Sequence, residues 1–141
     1  MKRIVLILAT CIAAIAPAIA ASPKSAGTSA GVYTQAQASE GSRVYAVRCA
    51  MCHGGTLSGT VETPGLTGKF MANWAGRPVA DLYDYLARAM PQPAPGSLSP
   101  QDNARLVAFL LEANGAPAGK APLPADSAAL RRIILQPVRP R

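Results

Sequence analysis

Cys49-Ala50-Met51-Cys52-His53 decides how this chain is read. C-x-x-C-H is the attachment signature of a c-type haem, and each member has a chemical job. Two thiols add across vinyl groups as thioethers, and the adjacent imidazole reaches the iron as proximal ligand. Covalent bonds hold the group even in a small domain with little apolar area to trap it. A bare C-x-x-C is weaker, because it also occurs in thiol redox and zinc sites.

The flanks sharpen that choice. The chain opens Met1-Lys2-Arg3, runs apolar from Ile4 to about Ile15, and gives Ala18-Ile19-Ala20 before Ala21. A basic start, a short apolar run and an A-x-A site predict a secretory signal peptide over 1–20, cleaved before Ala21. The run is too short, and too soon broken by Pro17, for a transmembrane helix. Leu8-Ala9-Thr10-Cys11 loosely resembles a lipobox, but Thr10 is a poor fit, and Cys11 is expected to leave with the leader. Cys49, Cys52 and His53 then remain as the only cysteines and the only histidine. A structural zinc site needs four protein ligands, and this cluster has three. A thioredoxin-like centre wants a βαβ setting, which the pattern does not offer. A Cys49–Cys52 disulfide is chemically open in an oxidising compartment but leaves His53 unexplained.

Charge is uneven. The chain carries a net +7, yet between Glu40 and Ala118 the two signs balance. Arg43, Arg48, Lys69, Arg77, Arg88 and Arg105 stand against Glu40, Glu62, Asp81, Asp84, Asp102 and Glu112. The excess lies at the two ends, in Lys2, Arg3 and Lys24 and in a tail that carries Lys120, Arg131, Arg132, Arg139 and Arg141 against Asp126, so nucleic acid is not expected as a partner. This basic tail either docks on an acidic protein face or is a solvated appendage.

The expected organisation is a signal peptide (1–20), an Ala/Ser/Gly-rich flexible linker (21–36), one domain (37–118) and a Pro-rich basic tail (119–141). Val44, Tyr45 and Val47 share one face of a helix over about Gln35–Val47, which delivers Cys49. Gly54-Gly55 turns into a loop over Thr56–Gly68, and Phe70–Trp74 suits a short helical turn. Val79, Leu82, Tyr83 and Leu86 predict a helix over Val79–Ala89 behind Pro78. Pro91, Pro93 and Pro95 stop it. The next helix is signposted by Ser99 as N-cap, Pro100 at N1, Asp102 at N3 and a closing Asn114-Gly115. A short helix over Asp126–Leu135, with Leu130, Ile133 and Ile134 on one side, is expected to strap back over the domain.

Helices without a convincing strand, with C-x-x-C-H ending the first, resemble the class I c-type cytochromes. Gly41 and Tyr45 match that family's first helix, and Leu106 and Phe109 match the contact pair on its last. Ala89-Met90-Pro91 and Pro95-Gly96-Ser97-Leu98-Ser99 are similar to haem subunits that serve quinoprotein alcohol dehydrogenases. Leu66, Phe70, Trp74 and Asn114-Gly115-Ala116-Pro117 resemble the same subgroup. The similarity spans roughly Gln37–Pro124. It implies an all-α fold of three to five helices around one covalently bound haem c.

It also implies a ligand set of His53 on the proximal side and Met90 on the distal side. Met90 follows a helix and precedes a stiff proline-rich loop. Met71 is the competing methionine and reads as core filler beside Phe70 and Trp74. Met51 is held between the cysteines. Trp74 and Tyr83 are expected to line the haem pocket, with Arg77 a lesser candidate for a propionate. The resulting expectation is a periplasmic single-electron carrier, not itself an enzyme. Its donor would be a periplasmic dehydrogenase and its acceptor another cytochrome or an oxidase, with no membrane span after signal cleavage. Two alternatives stay open: a haem catalyst or gas sensor with an open distal site, and a relay subunit bound permanently in a dehydrogenase complex.

Overall fold

The computed structural model describes residues 25–137. The expected leader and the last arginines, Arg139 and Arg141, lie outside the described residues. The fold is all-α, with helices α1 (Gln35–Arg48), α2 (Ala50–His53), α3 (Lys69–Trp74), α4 (Val79–Ala89), α5 (Pro100–Ala113) and α6 (Ser127–Leu130). Two short strands, β1 (Ala26–Gly27) and β2 (Ile133–Ile134), pair in parallel.

α1 starts where the Thr34 hydroxyl accepts from the Gln37 N–H at 3.2 Å. It crosses α5 at Gly41, the residue that makes the crossing feasible. A Cβ built there would lie 1.9 Å from the Arg105 carbonyl oxygen and 2.9 Å from Phe109 Cβ. Only a hydrogen atom fits between the two backbones. Tyr45 and Phe109 flank the crossing with ring centroids 5.3 Å apart, a favourable tilted pair. Arg105 Nε pairs with Glu40 at 2.7 Å across the same helices.

α4 packs its Val79, Leu82 and Leu86 against Leu106, Val107, Leu110 and Leu111 of α5, all of them buried. Ser99 caps α5 as expected: its Oγ accepts from the Asp102 N–H at 3.1 Å and donates to Asp102 Oδ2 at 2.9 Å. Arg105 adds a 2.9 Å bond to the same carboxylate. These two hydrogen bonds, Arg105 first and Ser99 second, hold the Asp102 carboxyl below its ordinary range. α5 ends at Asn114, and Gly115 supplies the positive φ of 86°.

Two expectations are corrected. The stretch expected as a flexible linker over 21–36 is structured wherever it is described. Tyr33 is buried and donates to the Ala116 carbonyl at 2.6 Å, and Gly119 N–H returns a bond to the Tyr33 carbonyl at 2.6 Å. One aromatic anchor outweighs the Ala/Ser/Gly composition around it. The helix expected over Asp126–Leu135 is only α6, a single turn capped by Asp126, after which Ile133 and Ile134 extend to pair with β1. Adjacent β-branched residues favour extended backbone when a partner edge is available. The tail does cover the domain: Leu123, Leu130 and Leu135 are buried, and Arg131 reaches Asp84 at 3.4 Å.

Gly41→Ala should lower the unfolding free energy of the haem-loaded protein, read from urea titration, by at least the ~1–3 kcal/mol of an overpacked contact. Gly55→Ala, whose Cβ would meet nothing within 4 Å, should stay within about 0.5 kcal/mol. Equal effects would show that the crossing is not sterically limited. A second expectation concerns acid. Asp102 is depressed in the fold, so its stabilisation is complete above its unfolded value and fades as pH falls through the folded one. Asp102→Asn should therefore cost about 0.5–1 kcal/mol at neutral pH. Urea titrations of the two proteins should converge at strongly acidic pH; a gap independent of pH would contradict the assigned charge.

Candidate functional site

The site is built where α1 hands over to α2. The Cys49 N–H bonds the Tyr45 carbonyl at 2.9 Å, completing α1. The Cys52 and His53 N–H groups then return to the Cys49 carbonyl at 3.1 and 2.9 Å, so a single turn gathers both thiols and the imidazole. Positions three and four apart share a helical face, which is why the chemistry needs this spacing. Burial pushes the Cys49 thiol up, against the pull of Arg48 and with a smaller push from Cys52. Tyr45 lies beneath, its hydroxyl donating to the Gly54 carbonyl at 2.5 Å. Burial raises that phenol, with Cys49 adding to the effect, so it stays a neutral donor.

His53 is oriented by backbone. Its Nδ1 lies 2.9 Å from the Pro64 carbonyl oxygen. A carbonyl only accepts, so Nδ1 carries a proton, and in the neutral ring Nε2 then keeps its lone pair for a metal. Pro64 is held by the tight 54–68 loop. Gly59, at φ 75°, has no room for a side chain, because a Cβ would lie 2.3 Å from the Thr63 carbonyl oxygen. Asn114 ties this loop to the end of α5: Nδ2 donates to the Leu66 and Leu110 carbonyls at 3.0 and 2.8 Å, and Oδ1 accepts from the Gly68 N–H at 3.0 Å.

Cys49, Cys52 and His53 open onto a cleft of about 280 Å³ whose mouth is open to solvent. Leu66, Phe70, Leu86, Leu106 and Leu110 make it apolar, and Met90 lines it from the end of α4. Met71 is 3% exposed, packs in the core and does not line the cleft. Met51 is 90% exposed. Two thiols and a lone-pair-bearing imidazole share an apolar cleft with a thioether, and this donor set fits a covalently held haem. Among the described residues, no group of three or more His, Cys, Asp or Glu suits a bare metal ion.

Two expected pocket residues sit elsewhere. Trp74 stacks on Tyr85 at 5.5 Å and carries the Arg77 guanidinium 4.7 Å above its ring, so neither it nor Arg77 lines the cleft. Arg77 also pairs with Asp81 at 2.9 Å. Tyr83 turns towards the tail, its hydroxyl within 3.2 Å of the Pro100 carbonyl and 3.3 Å of the Ala125 carbonyl. Tyr85, two residues on and so just over half a turn round α4, is the α4 tyrosine that faces the cleft. Helical spacing groups Tyr83 with the core correctly; it gives no reason to send a core aromatic to the cofactor. Arg48 and Gln92 also line the cleft, and Asn114 pins the loop beside it, roles that the sequence pattern does not assign them. Asn114 had a signal, since a buried amide seeks several partners.

The family described as "Cytochrome C oxidase, cbb3-type, subunit III" matches residues 36–110, just over half of the chain. No curated protein matches. Among solved structures, the sulfane dehydrogenase SoxCD from Paracoccus pantotrophus is similar at 30% identity and a TM-score of 0.47. That similarity covers 60% of this chain and 45% of the other, so the chain spans less than half of the SoxCD chain. The family match falls on α1, the C-x-x-C-H turn, α4 and most of α5, the elements that form the cleft. The chain belongs to this cytochrome c family, as a monohaem class I c-type cytochrome with one covalently bound haem c.

Proposed function

We propose that this cytochrome is a periplasmic single-electron carrier whose haem iron is held between His53 and Met90. The observation that carries the reading is the cleft itself, lined by one imidazole held through Nδ1 and one thioether among apolar walls. Cys49 and Cys52 supply the thioether links. Bound there, haem provides an iron that alternates between Fe(III) and Fe(II).

The protein's own contribution is orientation and exclusion. The Pro64 carbonyl keeps the His53 proton on Nδ1. Leu66, Phe70, Leu86, Leu106 and Leu110 keep water from the walls. A distal thioether raises the reduction potential and saturates the iron, which suits electron transfer and disfavours ligand chemistry. Electron transfer by a cytochrome c domain needs redox partners, and we assign the donor to a periplasmic dehydrogenase. The acceptor is another cytochrome or an oxidase, in keeping with a family description that names an oxidase subunit. Export rests on the leader sequence, and no helix among the described residues is long and apolar enough to cross a membrane.

Haem should stay with the polypeptide through acid–acetone extraction and denaturing electrophoresis; two free thiols by mass spectrometry would overturn the attachment. Met90→Ala should remove the weak ferric charge-transfer band at the red end of the spectrum, lower the potential and let carbon monoxide bind readily. Met71→Ala should leave the band and cost about 2–5 kcal/mol of stability, as for a buried methionine. The reverse pattern would reassign the ligand, and avid carbon monoxide binding by the unaltered protein would favour an open distal site. Export predicts a mature N-terminus at Ala21 and release by osmotic shock; a lipid on Cys11 or an intact Met1 would contradict it.

A further inference from the structure

The segment behind Met90 has little of its own to hold it in place. Residues 92–97 are all exposed, and Pro91, Pro93 and Pro95 contribute no N–H groups. The segment's own backbone bonds are local turns, Ala94 N–H to the Pro91 carbonyl at 2.9 Å and Ser97 N–H to the Ala94 carbonyl at 3.3 Å. Two side chains from outside reach it, at adjacent residues. Arg48 Nη2 donates to Ser97 Oγ at 2.5 Å, and Asn103 Nδ2 approaches the Leu98 carbonyl at a longer 3.5 Å.

Arg48 is the more telling of the two. It is the last residue of α1, immediately before Cys49, and it lines the cleft. Its bond therefore spans from the anchored side of the cleft to the loop that carries Met90. We propose that Arg48 is a positioning residue: its bond to Ser97 latches the Met90 loop to the C-x-x-C-H turn and so keeps the thioether over the iron. This rests on Met90 as the distal ligand. A guanidinium reaching a hydroxyl at the surface gives a modest bond, so the latch biases loop opening and does not abolish it.

Cyanide binding to the ferric haem-loaded protein reads that opening, because the methionine must leave before cyanide enters. Ser97→Ala keeps the arginine and removes only the acceptor, and it should speed cyanide binding about threefold to tenfold. Arg48→Ala should act similarly, the double variant should add nothing further, and Arg48→Lys should restore part of the slow rate. A wild-type rate for Ser97→Ala, or additive effects in the double variant, would overturn the latch. If Arg48→Ala does not retain haem, Ser97→Ala decides alone: faster cyanide binding supports the latch and a wild-type rate overturns it. Failure of the ligand reading looks different: the unaltered protein would then lack the methionine–iron band and bind cyanide without delay.

Discussion

The contact at Gly41 governs the rest of the molecule. With only a hydrogen at that position, α1 presses its backbone against Arg105 of α5, and the Tyr45–Phe109 pair and the Glu40–Arg105 bridge lock the approach. The end of α1 then falls beside Leu106 and Leu110, the α5 side chains that wall the cleft. Cys49 begins where α1 ends. The helix crossing therefore determines where a covalently attached group must lie before any ligand is considered.

Around that crossing the chain uses backbone and side-chain bonds to hold the two faces of the cleft. On the His53 side, Asn114 bonds the Leu66 carbonyl and the Gly68 N–H and so pins the 54–68 loop to the end of α5, and the loop in turn presents the Pro64 carbonyl to the imidazole. On the Met90 side, α4 is fixed by its buried Val79, Leu82 and Leu86 and ends with the Met90 N–H bonded to the Leu86 carbonyl at 3.0 Å. The tail reinforces α4 from outside through Leu130 and the Arg131–Asp84 pair, while the Leu135 backbone clasps Gly76 and Arg77 just before it. Arg131, one of the basic residues of that tail, thus helps fasten it to α4.

What was legible in the sequence is what local chemistry determines. The α4 bounds follow from Pro78, a three-and-four apolar rhythm and the prolines beyond, and α5 follows from Ser99-Pro100 and Asn114-Gly115. C-x-x-C-H names its own chemistry. Less legible were features that depend on distant partners. Nothing near Ala26 announces a pairing with Ile133, and Tyr33 is buried by the remote Ala116–Gly119 segment. The carbonyl that orients His53 belongs to a proline, whose side chain gives no hint of the role. Tyr83 and Tyr85 look equivalent until the helix is seen in place, when one meets the tail and the other the cleft.

The central claim, one haem iron held between His53 and Met90, is tested most directly by proton NMR of the ferrous protein with isotopically labelled methionine methyls. A methyl group seated on the iron lies over the porphyrin ring, whose ring current shifts its signal far upfield. The account predicts one such three-proton signal, assigned to Met90, with the Met71 and Met51 methyls in the ordinary aliphatic range. No upfield methyl, or one that belongs to Met71, would contradict it.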